Sequence, residues 1–275
     1  MSKPVVILTR AESDNERVAP FFKEQELEVL SVPLIEIRDL QVNPWDIPDD
    51  LCPCAVLLTS SRATTRWMAL RGQLINRDIR VCMVVGRQSA VRIRELDPDM
   101  PILVIGNSSE ELLEDIVSLR HPYPRVIGEV APEAYAILGE KSEVRTIVYP
   151  CSANRRDEAV VGLRTLGFRI LELPLYEPIL PSGSADRLAT VLADINSPAA
   201  ITVFSPSAVE NFFHIVSSTA LKDETSPGLA ERLIFAAIGE TTVDALYEHG
   251  VEEVIVSDLP DAEMLAEKVA QVMGG

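Results

Sequence analysis

The stretch Val5-Val6-Ile7-Leu8-Thr9-Arg10, followed by residues 13–26 and by Val29 to Ile37, decides the fold. Four consecutive apolar residues, three of them β-branched, read as a strand covered on both faces. Residues 13–26 read as a helix. Val18, Phe21 and Phe22 recur at helical spacing, and Asp14 and Glu16 occupy the first turn, where a carboxylate meets the positive end of the helix dipole. Val29 to Ile37 then reads as the next strand. The alternation continues, with strands expected at Ala55 to Leu58, Arg80 to Val85, Pro101 to Ile105 and Thr146 to Tyr149. A helix over 110–119 is expected to be capped by Ser108 or Ser109. Strand–helix alternation of this kind implies right-handed βαβ units, hence an α/β protein built on doubly wound parallel sheets.

Outward from this segment, the second half of the chain repeats the first. Val32-Pro33-Leu34-Ile35-Glu36-Ile37 matches Leu173-Pro174-Leu175-Tyr176-Glu177-Pro178, and Thr59-Ser60-Ser61-Arg62-Ala63 matches Phe204-Ser205-Pro206-Ser207-Ala208. Val85-Gly86-Arg87-Gln88-Ser89-Ala90 matches Ile238-Gly239-Glu240-Thr241-Thr242-Val243, and residues 108–113 match 260–265. One flavodoxin-like unit therefore occurs twice. Proline-rich segments at 38–53 and 177–186 follow the two matched strands and suit linkers between domains.

Composition narrows the function. The 275 residues carry 25 Lys plus Arg against 42 Asp plus Glu, a net charge of −17, which disfavours nucleic acid and anionic membranes as partners. No apolar run approaches the roughly 20 residues of a membrane span, and the N-terminus lacks the features of a secretion signal. Cys52, Cys54, Cys82 and Cys151 have no zinc spacing and read as reduced structural thiols of a cytosolic protein. His121, His214 and His249 are scattered, so spacing suggests neither a metal centre nor a Ser-His-Asp arrangement. Neither glycine signature of dinucleotide or nucleoside-triphosphate binding occurs, and no cofactor is expected.

What recurs is hydroxyl residues where a strand gives way to a helix: Thr59 and Ser60, Ser89, Ser205 and Ser207, Thr241 and Thr242. In open parallel sheets ligands bind beyond the carboxyl ends of the strands, where helix N-termini offer unpaired N–H groups and a partial positive charge. The natural guest is a carboxylate or phosphate. Arg10 and Arg62 fall on the same edge, and Asn154-Arg155-Arg156 takes the matching place in the repeat. Arginine suits bidentate carboxylate contact. Tyr176, in a buried-looking strand where the first repeat has Ile35, is a candidate weak acid or hydrogen-bond donor. A rival is a cofactor-free two-domain binding protein for a small polyanion, of the periplasmic type. The lack of a secretion signal and the reduced-looking cysteines weigh against it. A duplicated receiver domain fits worse, because the first and third strands end in Thr-Arg and Thr-Ser where acidic residues are needed. A flavin-binding unit fits worse because Arg10-Ala11-Glu12-Ser13 is a poor match to a hydroxyl- and glycine-rich loop.

Taken in order, L-T-R, V-P-L-I-E-I, T-S-S-R-A, V-G-R-Q-S-A, Y-P-C-S-A-N-R-R, L-P-L-Y, V-F-S-P-S-A-V-E-N-F, A-A-I-G-E-T-T-V-D-A-L and P-D-A-E-M-L resemble the uroporphyrinogen-III synthase family, over nearly the whole chain. The resemblance implies a cofactor-free, monomeric, cytosolic lyase. Its substrate would be hydroxymethylbilane, a polyacid with eight carboxylates, closed to uroporphyrinogen III with inversion of the last pyrrole ring. A transient contact with the bilane-forming enzyme would be its one macromolecular partner. The resemblance also implies two α/β domains, residues 1–38 with 178–275 and residues 39–177, joined by a two-strand connector with the active cleft between them. It makes Tyr176 the acid and Thr59, Ser60, Arg62, Ser89, Ser205 and Thr242 substrate-facing. The sequence departs from the family pattern at Ser89, where Thr is usual, at Glu240, where Pro is frequent, and at Ile234, where some members carry a basic residue.

Overall fold

The computed structural model describes residues 3–43, 54–71, 79–120, 125, 128–132, 138, 146–154, 158–195, 198–218 and 233–274. The chain forms two compact units, Met1–Ile37 with Pro178–Gly275, and Arg38–Glu177. Both are α/β.

In the first unit, β1 (Val5–Leu8), β2 (Glu28–Ser31), β10 (Ala199–Val203), β11 (Leu233–Ala237) and β12 (Val254–Val256) form a sheet in the order β12-β11-β10-β1-β2. All its pairings are parallel. The apolar run in β1 explains itself here, because alternate residues serve opposite faces. Val5 and Ile7 pack with Leu188 and Leu192 of α6 (Ser184–Asp194), Val209 and Phe212 of α7 (Pro206–Ser218), and Leu246 of α8 (Glu240–Glu248). Val6 and Leu8 pack with Phe22 of α1 (Glu12–Glu24) and with Leu265 and Val269 of α9 (Ala262–Met273). Fully burying a side chain such as Phe22 stabilises by roughly 1.5–3 kcal/mol, and β1 sits where two such layers meet.

In the second unit, β3 (Glu36–Asp39), β4 (Cys54–Leu58), β5 (Ile79–Val85), β6 (Ile102–Gly106), β7 (Glu129–Val130), β8 (Thr146–Ser152) and β9 (Arg169–Ile179) lie in the order β3-β9-β8-β4-β5-β6-β7. The β9-β8-β4-β5-β6 pairings are parallel, and β7 runs antiparallel at the edge. α2 (Ser61–Leu70), α3 (Arg87–Leu96), α4 (Ser109–Ser118) and α5 (Glu158–Thr165) complete the unit. Ala55, Leu57, Ile147 and Tyr149 share one core layer with Leu112 and Ile116 of α4 and Val160 and Leu163 of α5. Ser108, rather than Ser109, caps α4 by accepting from the Glu111 amide. Cys82 and Cys151 are buried free thiols, and burial pushes the Cys82 thiol well above its usual range.

The expectation of one strand from Val29 to Ile37 is corrected. The segment divides into β2 in one sheet and β3 in the other, and the intervening residues keep backbone bonds from Val32 N–H to Leu8 C=O and from Leu34 N–H to Thr9 C=O. The Ser184 hydroxyl and the Asn211 amide donate to the Pro33 and Leu34 carbonyls. Its repeat partner, residues 173–178, lies inside the unbroken β9. The difference comes from the neighbour. β8 continues to Ser152 and supports β9 as far as Tyr176, whereas β1 ends at Leu8.

The duplication extends to the helix ends. Glu26 after α1 (φ +61°) and Gly167 after α5 (φ +88°) take the same left-handed conformation. At both, two successive amides donate back into the last turn: Glu26 to Lys23 C=O and Leu27 to Phe22 C=O, Gly167 to Arg164 C=O and Phe168 to Leu163 C=O. A side chain pays steric strain there that glycine avoids. Glu26→Gly is expected to stabilise the first unit by about 0.5–1 kcal/mol, read as a higher midpoint in thermal unfolding. An unchanged or lower midpoint would show that the strain at Glu26 is relieved elsewhere.

Candidate functional site

The paired strand orders fix where a ligand would sit. β2-β1-β10-β11-β12 and β9-β8-β4-β5-β6 are the same arrangement, and in each the connections that leave the second and the third strand run to opposite sides. The turn after β1 therefore lies beside the turn after β10, and the turn after β8 beside the turn after β4. These are the topological switch points at which α/β sheets bind ligands.

In the second unit this edge assembles most of what the sequence singled out. β4 ends at Leu58, and Thr59 and Ser60 lead into α2. The Ser60 Oγ accepts from the Ala63 amide at 3.1 Å, so Ser60 is the N-cap; it also lies 3.2 Å from the Tyr176 hydroxyl. The Thr59 Oγ1 lies 3.3 Å from the hydroxyl of Tyr149. Tyr176 projects from β9 with 8% of its surface exposed. The Arg66 guanidinium lies over its ring, 4.9 Å from the centroid, and donates from Nε to Asp39 Oδ1 at 2.5 Å. Arg62 is half-buried in the first turn of α2. Ser89, the third residue of α3, is buried beyond the glycine cap Gly86. Asn154 is exposed in the turn after β8, with its amide on Ser152 Oγ at 3.3 Å. Arg155 lies outside the described residues.

The first unit repeats the theme. The Arg10 guanidinium lies over the Phe204 ring, 4.8 Å from its centroid, which joins the turns after β1 and β10. It also pairs with Asp14 at 3.5 Å. The Arg10 amide donates to Asn15 Oδ1 at 3.0 Å, and Asn15 Nδ2 donates to Leu8 C=O at 3.0 Å and Ser31 Oγ at 2.9 Å. Beneath this edge, Thr9 Oγ1 donates to Thr202 C=O at 2.6 Å and Thr202 Oγ1 to Ile7 C=O at 3.0 Å, tying β1 to β10. Ser205 Oγ accepts from the Ala208 amide at 3.4 Å, and Ser207 is half-buried within α7. Thr242, the third residue of α8, is buried at the position matching Ser89, while Thr241 beside it is exposed.

Sequence reasoning missed Tyr149, Asn15, Arg66 and Asp39. Asn15 did leave a signal, because it stands at the core spacing of α1, three and seven residues before Val18 and Phe22. A polar residue on that stripe has to be hydrogen-bonded. The other three become visible only once β3, β4, β8, β9 and α2 are brought together.

A model of the family described as Uroporphyrinogen-III synthase HemD matches residues 16–267. The chain belongs to this family. Uroporphyrinogen-III synthase of Chlorobaculum parvum is 23% identical over 274 residues, covering 98% of each chain. A putative uroporphyrinogen-III synthase of Methanothermobacter thermautotrophicus is 29% identical over 157 residues; this covers 52% of the chain and 60% of that protein. Among solved structures, a mutant uroporphyrinogen III synthase from the extremely thermophilic bacterium Thermus thermophilus aligns with a TM-score of 0.59 at 15% identity, covering 98% of this chain and 99% of that one. The synthetase of Helicobacter pylori 26695 aligns with a TM-score of 0.56 at 15% identity, covering 98% and 100%. At such identity these two likenesses show the fold: a two-domain α/β protein. Membership in the uroporphyrinogen-III synthase family places the chain among enzymes of tetrapyrrole biosynthesis, acting on a small molecule. Among the described residues, no helix is long and apolar enough to cross a membrane, and no group of three His, Cys, Asp or Glu could hold a metal ion.

Proposed function

We propose that the protein is a lyase that closes hydroxymethylbilane to uroporphyrinogen III with release of water and inversion of the last pyrrole ring. The observation that carries this reading is the Tyr176 hydroxyl, held 3.2 Å from Ser60 at the carboxyl edge of β4, among side chains suited to carboxylates. The C–O bond of the hydroxymethyl group breaks as the Tyr176 O–H proton passes to the departing oxygen, and water leaves. The electron-rich pyrrole stabilises the cation left behind, so the acid has modest work to do. The cation attacks the substituted α carbon of the last ring to give a spiro intermediate, and the older carbon–carbon bond at that atom breaks. The methylene cation so released on the neighbouring ring bonds to the last ring's free α carbon, and the proton lost there returns to the phenolate. No redox change occurs, so the reaction needs no cofactor from the protein.

The remaining task is geometric. The uninverted isomer forms without a catalyst, so the enzyme has to hold a flexible polyacid in the one shape that favours inversion. Arg62 and the α2 N-terminus, with Thr59, Ser60, Ser89, Asn154 and Arg155, are the proposed carboxylate contacts of the second unit. Arg10, Ser205, Ser207, Thr241 and Thr242 are those of the first. The domains are proposed to be residues 1–38 with 178–275 and residues 39–177, acting as a cytosolic monomer with a transient contact to the bilane-forming enzyme. A coupled assay that supplies fresh hydroxymethylbilane and separates the uroporphyrinogen isomers tests the reading. Type III product above background is expected. Type I alone, at the rate seen without protein, would leave a polyanion-binding protein in its place.

A further inference from the structure

We propose that Arg66 and Asp39 form a positioning device for Tyr176, fixing the plane of its ring so that the hydroxyl points one way; this rests on the reading of Tyr176 as the acid. A hydrogen bond between the Tyr176 and Ser60 hydroxyls fixes one point only, because the phenol oxygen lies on the Cβ–Cγ axis and the ring can still turn about that axis. A second restraint, on the ring face, removes that freedom. Arg66 supplies it, with its guanidinium 4.9 Å from the ring centroid. Arg66 is itself aimed, because both Nε and Nη2 lie 2.5 Å from the same oxygen of Asp39.

Asp39 is well placed to aim it. It ends β3, the neighbour of β9, and the next amide, Leu40 N–H, donates to Leu175 C=O at 2.9 Å, one residue before Tyr176. The restraint is thus referenced to the strand that carries the tyrosine. Stability offers little reason for the pair, since 72% of the Asp39 side chain is exposed and exposed ion pairs contribute little. A device that only sets direction should act on rate rather than on folding, and small misplacements of a reacting group cost rate steeply.

The test combines Arg66→Met, Arg66→Lys and Asp39→Asn with Tyr176→Phe in the isomer assay, and follows 3-fluorotyrosine placed at position 176 by 19F NMR. Arg66→Met is expected to lower kcat about 5- to 20-fold with KM within about 2-fold and an unchanged unfolding midpoint. Asp39→Asn is expected to lower kcat by about 2- to 5-fold, and Arg66→Lys to recover part of the loss. Adding Arg66→Met to Tyr176→Phe should slow the enzyme no more than about 2-fold further, because a positioning residue has nothing left to position. The fluorine resonance should shift and broaden in Arg66→Met. Multiplicative losses, or a raised KM at constant kcat, would overturn the proposal in favour of direct substrate contact by Arg66. An unmoved resonance would overturn it whatever the rates. Full activity in Tyr176→Phe with a resonance that still answers to Arg66 would remove the acid role of Tyr176 and leave the positioning intact.

Discussion

Tyr176→Phe is expected to turn over hydroxymethylbilane about 10- to 100-fold more slowly than the unaltered protein while still making the type III isomer. The substitution removes one oxygen and leaves the ring under Arg66, so the packing of β9 should survive. A positioned general acid is typically worth 10²- to 10⁴-fold, and a leaving group expelled by an electron-rich pyrrole lies at or below the low end of that range. The expected loss corresponds to about 1.4–2.7 kcal/mol of transition-state stabilisation. It should fall on kcat more than on KM, because the proton moves only as the C–O bond breaks. The product should remain type III, since inversion is set by how the polyacid is held. Full kcat in Tyr176→Phe would mean that water or another donor protonates the leaving oxygen. A switch to type I product would mean that Tyr176 shapes the substrate rather than supplying a proton.

Asn15→Ala should damage both fold and binding in the first unit. Asn15 is 1% exposed and bonds at once to the end of β1, to β2 through Ser31, and to the amide of Arg10. Leu8 C=O keeps a partner in the Val32 amide, but the Arg10 amide loses its acceptor. Deleting such a side chain should cost roughly 2–3 kcal/mol. For a unit of this size that lowers the unfolding midpoint by about 4–10 °C. The same turn carries the Arg10 guanidinium over Phe204, so KM is expected to rise about 3- to 10-fold below the new midpoint, with kcat less affected. An unchanged KM beside a lowered midpoint would confine Asn15 to a structural role and weaken Arg10 as a substrate contact.

Sequence alone made the α/β class legible, and the cause is local. Runs such as Val5 to Leu8 cannot be solvated on either face, and alternate with segments whose apolar residues recur at helical spacing. The hydroxyl residues at the strand ends were legible for a related reason. A helix start needs an acceptor for its first amides, as Ser60, Ser108 and Asp261 show, and the repeat displayed the same places twice. Neither signal required a contact between distant residues.

Other features depended on which strands became neighbours. Val29 to Ile37 carries no local mark of its division between two sheets; the short reach of β1 imposes it. Residues 36–39 and 169–179 are strands that run through the boundary between the units, a consequence of pairing across more than a hundred positions of sequence. The surroundings of Tyr176 follow from the same distances. Ser60, Arg66 and Asp39 lie far from it along the chain, and only the placement of β9 between β3 and β8 gathers them around its ring. Periodicity and capping are properties of a few consecutive residues, so the sequence displays them directly. The aim of a hydroxyl is set by groups on other elements, and the folded chain alone decides it.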